Sequence, residues 1–208
     1  MSTPGETVFV VDDDPAMRKS LSRLLRAAGH EALAFGGPEE FLRLVPADAW
    51  GCAILDVSMP GLDGLALQRE LASRNSQISV VFLTGHGDIP KTVQAMKSGA
   101  TDFLAKPVEE TSLLLAVHRA LDASRATRKA RGEVADVDRR LRTLTARERE
   151  VMELVAAGRL NKQIGRDLGI AESTVKIHRA RVLEKMKAGS VAELVRLADQ
   201  ARAGRGRA

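Results

Sequence analysis

Three carboxylates, a lysine and a threonine stand in this 208-residue sequence where they could do phosphoryl chemistry. Asp12 and Asp13 follow the apolar run "VFVV", Asp56 closes "CAILD", Thr84 closes "SVVFLT", and Lys106-Pro107 follows "DFLA". Mg2+ takes hard oxygen ligands and keeps several waters, so it suits one or two carboxylates plus phosphate oxygens. Adjacent Asp12 and Asp13 could approach such an ion from one side and Asp56 from the other. Phosphoryl transfer depends mostly on positioning and charge neutralisation. Lys106 and the ion would face the developing charge, and the Thr84 hydroxyl could bond one oxygen. A plainer reading makes "DDDP" a helix cap, with Asp14 capping and Pro15 at the first helical position. The two readings are compatible, Asp14 capping while the residues before it bind metal.

Elements at regular intervals must position these groups. Apolar runs predict strands at Thr7–Val11, Glu31–Phe35, Cys52–Asp56, Ser79–Leu83 and Asp102–Ala105. Several are continuously apolar, as in a parallel sheet covered on both faces. Between them apolar residues recur at helical spacing, as in Met17, Leu21, Leu24, Leu25 and Ala28, with Gly29 as a stop. The result is a doubly wound α/β domain of five strands, in which ligands bind beyond the carboxyl ends of the strands. The reactive residues gather at those ends.

Charge divides the chain. Residues 1–123 hold 11 Lys and Arg against 16 Asp and Glu, and the remainder holds 21 against 11, within an overall +5. An acidic half joined to a basic half predicts two domains, the basic one suited to a polyanion such as nucleic acid. Residues 123–142 are rich in charge and alanine and read as a mostly helical linker, with Gly132 a point of interruption. From residue 143 to 208 short helices alternate with Gly or Asn, at Ala146–Ala157, Asn161–Leu168, Glu172–Lys187 and from Ser190 to about Ala203, with no strand signal. The single Cys52 excludes an internal disulfide framework and reads as an inert buried thiol. No apolar run approaches the ~20 residues of a membrane span. A soluble protein of the cytoplasm is expected, with no membrane partner. His30 and His118 read as surface residues, and His86 as an exposed loop histidine or a group controlling water access.

The stretches "VFVVDDDPAMR", "AILDVSMPGLDGL", "VVFLTGHGDI" and "GATDFLAKP" closely resemble a response-regulator receiver domain over residues 6–122, within a domain expected at residues 1–122. The resemblance implies a five-stranded, flavodoxin-like fold in which Asp56 accepts a phosphoryl group from a sensor histidine kinase with Mg2+. It implies metal ligands at Asp12, Asp13, Asp56 and the main-chain carbonyl of Ser58. Lys106 then binds the phosphoryl group and Thr84 is the switch hydroxyl. Phe103 matches the switch aromatic of the family, although it also reads as a core residue of the fifth strand. Phosphorylation would repack the face made by the fifth strand and the helix before it. Lys106-Pro107 invites a cis peptide bond. An alternative, a Mg2+-dependent phosphohydrolase of haloacid-dehalogenase type, needs a second acid two residues after the nucleophile, where this chain has Ser58.

The segment "LTAREREVMELVAAGRLNKQIGRDLGIAESTVKIHRARVLEKM" reads as a small all-α helix-turn-helix. It resembles the LuxR/NarL type, and the whole order resembles FixJ-type regulators. By that resemblance Lys176 and Ile177 read bases in double-stranded DNA, while Thr174, His178, Arg179 and Arg181 contact the backbone or orient the helix. The resemblance implies a phosphorylation-controlled transcription regulator that dimerises when phosphorylated, with RNA polymerase as a further partner and no enzymatic activity beyond the chemistry at Asp56. Two departures stand out. Ala171 occupies the usual Ser cap position, with Ser173 as a substitute cap. Gly165 replaces a small Ala, which in an exposed helix interior costs about 0.8–1 kcal/mol.

Overall fold

Strand β1 (Thr7–Val11) is buried along its whole length, and its alternating side chains enter two different cores. The computed structural model describes residues 5–85, 93 and 95–205, so His86 lies outside the described residues. The chain divides into two units, Met1–Arg128 and Lys129–Ala208.

In the first unit, β2 (Glu31–Phe35), β3 (Trp50–Asp56), β4 (Gln77–Thr84) and β5 (Asp102–Ala105) join β1 in one parallel sheet of order β2-β1-β3-β4-β5. Phe9, Val11, Ala53, Leu55, Val80 and Phe82 face α2 (Pro38–Leu44) and α3 (Gly64–Ser73). Val8, Val10, Cys52, Ile54, Val81 and Leu83 face α1 (Pro15–Ala27) and the start of α4 (Glu110–Arg142). Fully buried residues such as Leu25 and Leu113 each contribute about 1.5–3 kcal/mol through transfer from water. Both faces are therefore covered, as the continuous apolar runs predict. Cys52 is fully buried, and burial pushes its thiol pKa far up, consistent with an inert role.

Asp14 caps α1 by accepting from the Ala16 amide at 2.8 Å, with Pro15 at the first position. Gly29 follows the helix with φ +86°. His30, expected at the surface, is buried, with its ring 5.4 Å from that of His118. Burial, then the charge of His118, holds its pKa below the ordinary value.

The charged segment 123–142 is helical throughout and lies inside α4; Gly132 does not interrupt it. Its first residues belong to the first unit. The fully buried Ser124 hydroxyl accepts from the Gly51 amide at 2.9 Å and donates to the Gln77 carbonyl at 2.6 Å. Arg125 pairs with buried Glu6 at 2.7 Å, and the Arg128 guanidinium lies 4.5 Å from the centre of the Trp50 ring.

The second unit packs Val137 and Leu141 of α4 with α5 (Ala146–Ala156), α6 (Asn161–Leu168), α7 (Glu172–Met186) and α8 (Val191–Arg205). Thr145 and Glu148 form a reciprocal capping box at the start of α5. The buried Glu148 carboxylate also accepts from Lys185 at 2.6 Å. That bond, followed by the Thr145 amide, holds the Glu148 pKa below its ordinary 4.5. A carboxyl depressed in the fold adds stability at pH values above its unfolded pKa and loses it as pH falls through the folded one. Glu148→Gln should therefore be less stable than wild type at pH 7, with the gap closing as pH drops below about 4.5. Urea unfolding of both proteins across that range checks this; a gap independent of pH contradicts it.

Both departures in the helix-turn-helix have structural outcomes. Ala171 is the N-cap of α7 and no side chain caps it, so Ser173 does not substitute. Ala171→Ser should stabilise the unit by about 1 kcal/mol and slow hydrogen exchange at the first α7 amides. Equal exchange in the two proteins would mean that the cap does not form. Gly165 is buried, and a Cβ there would sit 2.8 Å from the Ile170 carbonyl oxygen. The turn after α6 thus requires glycine, and the penalty expected for an exposed position does not apply.

Candidate functional site

Parallel register brings the reactive residues together. Val11 pairs with Leu55, Asp56 with Leu83, and Thr84 with Ala105. The residues that end or follow these strands therefore share the carboxyl edge of the sheet. Asp12, Asp13 and Asp56 can each offer a carboxylate oxygen within 4.8 Å of the others. Asp12 and Asp56 are buried and Asp13 is exposed, so the group opens to solvent on one side. Among the described residues no other group of three or more His, Cys, Asp or Glu comes this close.

Lys106 binds both buried carboxylates, with Nζ 2.7 Å from Asp12 Oδ2 and 3.0 Å from Asp56 Oδ2. Burial alone would lower its pKa, but the bonds to Asp12 and Asp56, with their charges, raise it above the ordinary lysine value. Lys106–Pro107 is cis, and the Lys106 amide donates to the Thr84 carbonyl at 2.6 Å. The buried Thr84 hydroxyl donates to the Gly85 carbonyl at 2.7 Å. Exposed Ser58 approaches Asp56 through its amide, 3.3 Å from Oδ1. Phe103 is half-buried, with its ring 6.0 Å from that of Phe82. Asp12 is held twice more, Oδ1 accepting from the Asp14 amide at 2.9 Å and the main-chain carbonyl accepting from Arg18 Nη1 at 2.7 Å. The contact from Arg18 is not foreseeable from spacing, because its partner is a backbone carbonyl.

Three oxygen-bearing carboxylates with an open side fit a hard divalent cation. The same crowding makes Lys106 important when no cation is bound. Lys106→Ala should lower stability in EDTA by roughly 1–3 kcal/mol, less than for a fully buried pair because Lys106 is 19% exposed. Excess Mg2+ should recover more stability in the variant than in wild type, measured by denaturant unfolding. Equal recovery would mean that the ion and the lysine do not act on the same carboxylates.

In the second unit, Val175, Val182 and Met186 turn α7 toward the core. Lys176, Arg181 and Ile177, the last 53% exposed, occupy its outer surface. Thr174, His178 and Arg179 are half-buried. Lys176 lies 3.7 Å from Glu172, a loose exposed pair of little energetic weight. Arg179 donates to Asn161 Oδ1 at 2.8 Å and so ties α7 to the start of α6. The Asn161 partner escapes sequence reading because it lies on another helix.

Comparison with known proteins identifies both units of the chain. Residues 8–118 match the response regulator receiver domain, and residues 142–198 match the bacterial regulatory proteins of the luxR family. Nodulation protein W of Bradyrhizobium diazoefficiens is 50% identical over 192 residues, covering 92% of this chain and 85% of that protein. The transcriptional regulatory protein FixJ of the same organism is 42% identical over 201 residues, covering 97% and 98%. The solved response regulator StyR is 44% identical, with a TM-score of 0.84 and coverage of 94% of this chain and 98% of that one. With its paired carboxylates, strand-end aspartate, lysine and helix-turn-helix in this order, the chain belongs to the FixJ-type two-component response regulators, a receiver domain joined to a LuxR-type DNA-binding domain.

Proposed function

We propose that Asp56 takes a phosphoryl group from a phosphohistidine of a sensor kinase, and that this controls dimerisation and DNA binding. The observation that carries the reading is the placement of Asp56 at the tip of β3, within 4.8 Å of Asp12 and Asp13 and 3.0 Å from Lys106. A carboxylate oxygen of Asp56 attacks phosphorus, the phosphorus–nitrogen bond of the donor breaks, and the imidazole leaves and takes up a proton. Asp12, Asp13, Asp56 and the Ser58 carbonyl would hold Mg2+, which when bound neutralises charge on the phosphoryl oxygens. Lys106 exchanges its bond to Asp56 Oδ2 for one to the transferred group. Thr84 turns its hydroxyl from the Gly85 carbonyl to a phosphoryl oxygen, and Phe103 moves into the space this leaves.

Dimerisation links two recognition helices, so that a two-fold site is bound with the gain of linkage. Lys176 and Ile177 read base edges in duplex DNA, with Ile177 suited to a thymine methyl. Thr174, His178, Arg179 and Arg181 bind the DNA backbone or hold α7 in place. RNA polymerase is a further partner, and the protein acts in the cytoplasm. Among the described residues no helix is long and apolar enough to cross a membrane. The test is treatment of the full chain with acetyl phosphate and Mg2+, followed by sizing and DNA-shift measurement. Acid-stable, hydroxylamine-resistant label, or label with no change in size and DNA binding, argues against the reading.

A further inference from the structure

Arg18 stands one turn into α1, on the first helix after the acidic pair, and its guanidinium Nη1 donates to the main-chain carbonyl of Asp12 at 2.7 Å. The same carbonyl belongs to the peptide that joins Asp12 to Asp13. Asp12 is otherwise held by its side chain, through the Asp14 amide and Lys106, and its amide donates to the Phe35 carbonyl at 3.3 Å. Asp13 is exposed, so the peptide before it largely determines where its carboxylate points. Arg18 also lies beside Gly36, in the loop between β2 and α2, where Glu40 accepts from the Gly36 amide at 2.7 Å.

We propose that Arg18 is a positioning residue that orients the Asp12–Asp13 peptide, and through it Asp13, for binding a divalent cation. This rests on the reading of the pocket as a Mg2+ site. The sign of the effect separates positioning from simple charge. A guanidinium near three carboxylates repels a divalent ion, so an effect of charge alone predicts that removing it tightens Mg2+ binding. Loss of an orienting contact behind a metal ligand predicts weaker binding, typically by 10–100-fold.

The test is calorimetric Mg2+ titration of the full-length wild type, Arg18→Ala and Arg18→Lys, together with labelling rates by acetyl phosphate across Mg2+ concentration. Arg18→Ala should bind Mg2+ about tenfold more weakly. Its labelling rate should return close to that of wild type at saturating Mg2+, and Arg18→Lys, which keeps a charged donor, should recover part of the affinity. Far-UV circular dichroism and a denaturation midpoint confirm that each variant is folded. Unchanged or tighter Mg2+ binding in folded Arg18→Ala overturns the proposal. So does a labelling defect that persists at saturating Mg2+. A wild-type chain that binds Mg2+ but takes no label on Asp56 instead overturns the acceptor reading, while the calorimetric comparison still decides the role of Arg18.

Discussion

Asp56→Asn is expected to take no label from acetyl phosphate while remaining folded. The substitution keeps shape and removes the anionic oxygen that attacks phosphorus. Lys106 retains its bond to Asp12 at 2.7 Å, so the strand ends keep one anchor. Removing one of three carboxylates that approach within 4.8 Å relieves repulsion as it removes a pairing partner for Lys106. These effects oppose each other, and metal-free stability should stay within about 1 kcal/mol of wild type. Stabilisation by Mg2+ should shrink, because a ligand charge is gone. Phosphorylation-dependent dimerisation and DNA binding should disappear together. Mass spectrometry of the treated variant decides the matter. Residual stoichiometric label would move the acceptor to another side chain.

Gly64→Ala is the second change with a large expected effect. Gly64 opens α3, and its amide donates to the Val57 carbonyl at 3.2 Å. A Cβ at this position would lie 2.2 Å from the main-chain oxygen of Asp56 and 3.2 Å from the Phe82 ring. The nearer neighbour is backbone, so no rotamer change relieves the clash, and α3 must part from β3. A loss of about 3 kcal/mol or more is expected, at the large end for a single substitution. Because the displaced peptide carries the proposed acceptor, labelling should fall even under conditions where the variant is folded. Denaturant midpoints and labelling rates measured on the same preparation test both halves. Stability within about 0.5 kcal/mol of wild type, the range of an ordinary surface change, would mean that helix and strand do not approach so closely.

Much of this arrangement is legible in the sequence because the sheet is covered on both faces. Continuous runs such as "VFVV" and "VVFL" declare buried strands, and the polar residue after each run marks the functional edge. β3 begins two residues earlier than its apolar run suggests, since Trp50-Gly51 does not look like a strand start. Yet a Cβ on Gly51 would fall 2.0 Å from the Thr7 carbonyl oxygen, so strand pairing itself demands the glycine. His30 is misread as a surface residue because its neighbour His118 is brought to it only by the fold. Arg18 and Asn161 are invisible for a related reason. A charged or polar residue on a helix reads as solvated until its partner from elsewhere in the chain is known. The glycine at position 165 shows the opposite error, a propensity penalty cancelled by a close carbonyl.

The attachment of α4 at the amino edge of the sheet bears on how the protein can be dissected. A fragment ending at residue 122, where the composition changes, would lack Ser124 and leave the Gly51 amide and the Gln77 carbonyl without the hydroxyl they share. It would also remove the Arg125 guanidinium that pairs with buried Glu6 and uncover one side of the Trp50 indole. A cut after Arg128 keeps all three interactions, so limited proteolysis should release a resistant amino-terminal piece ending there or beyond.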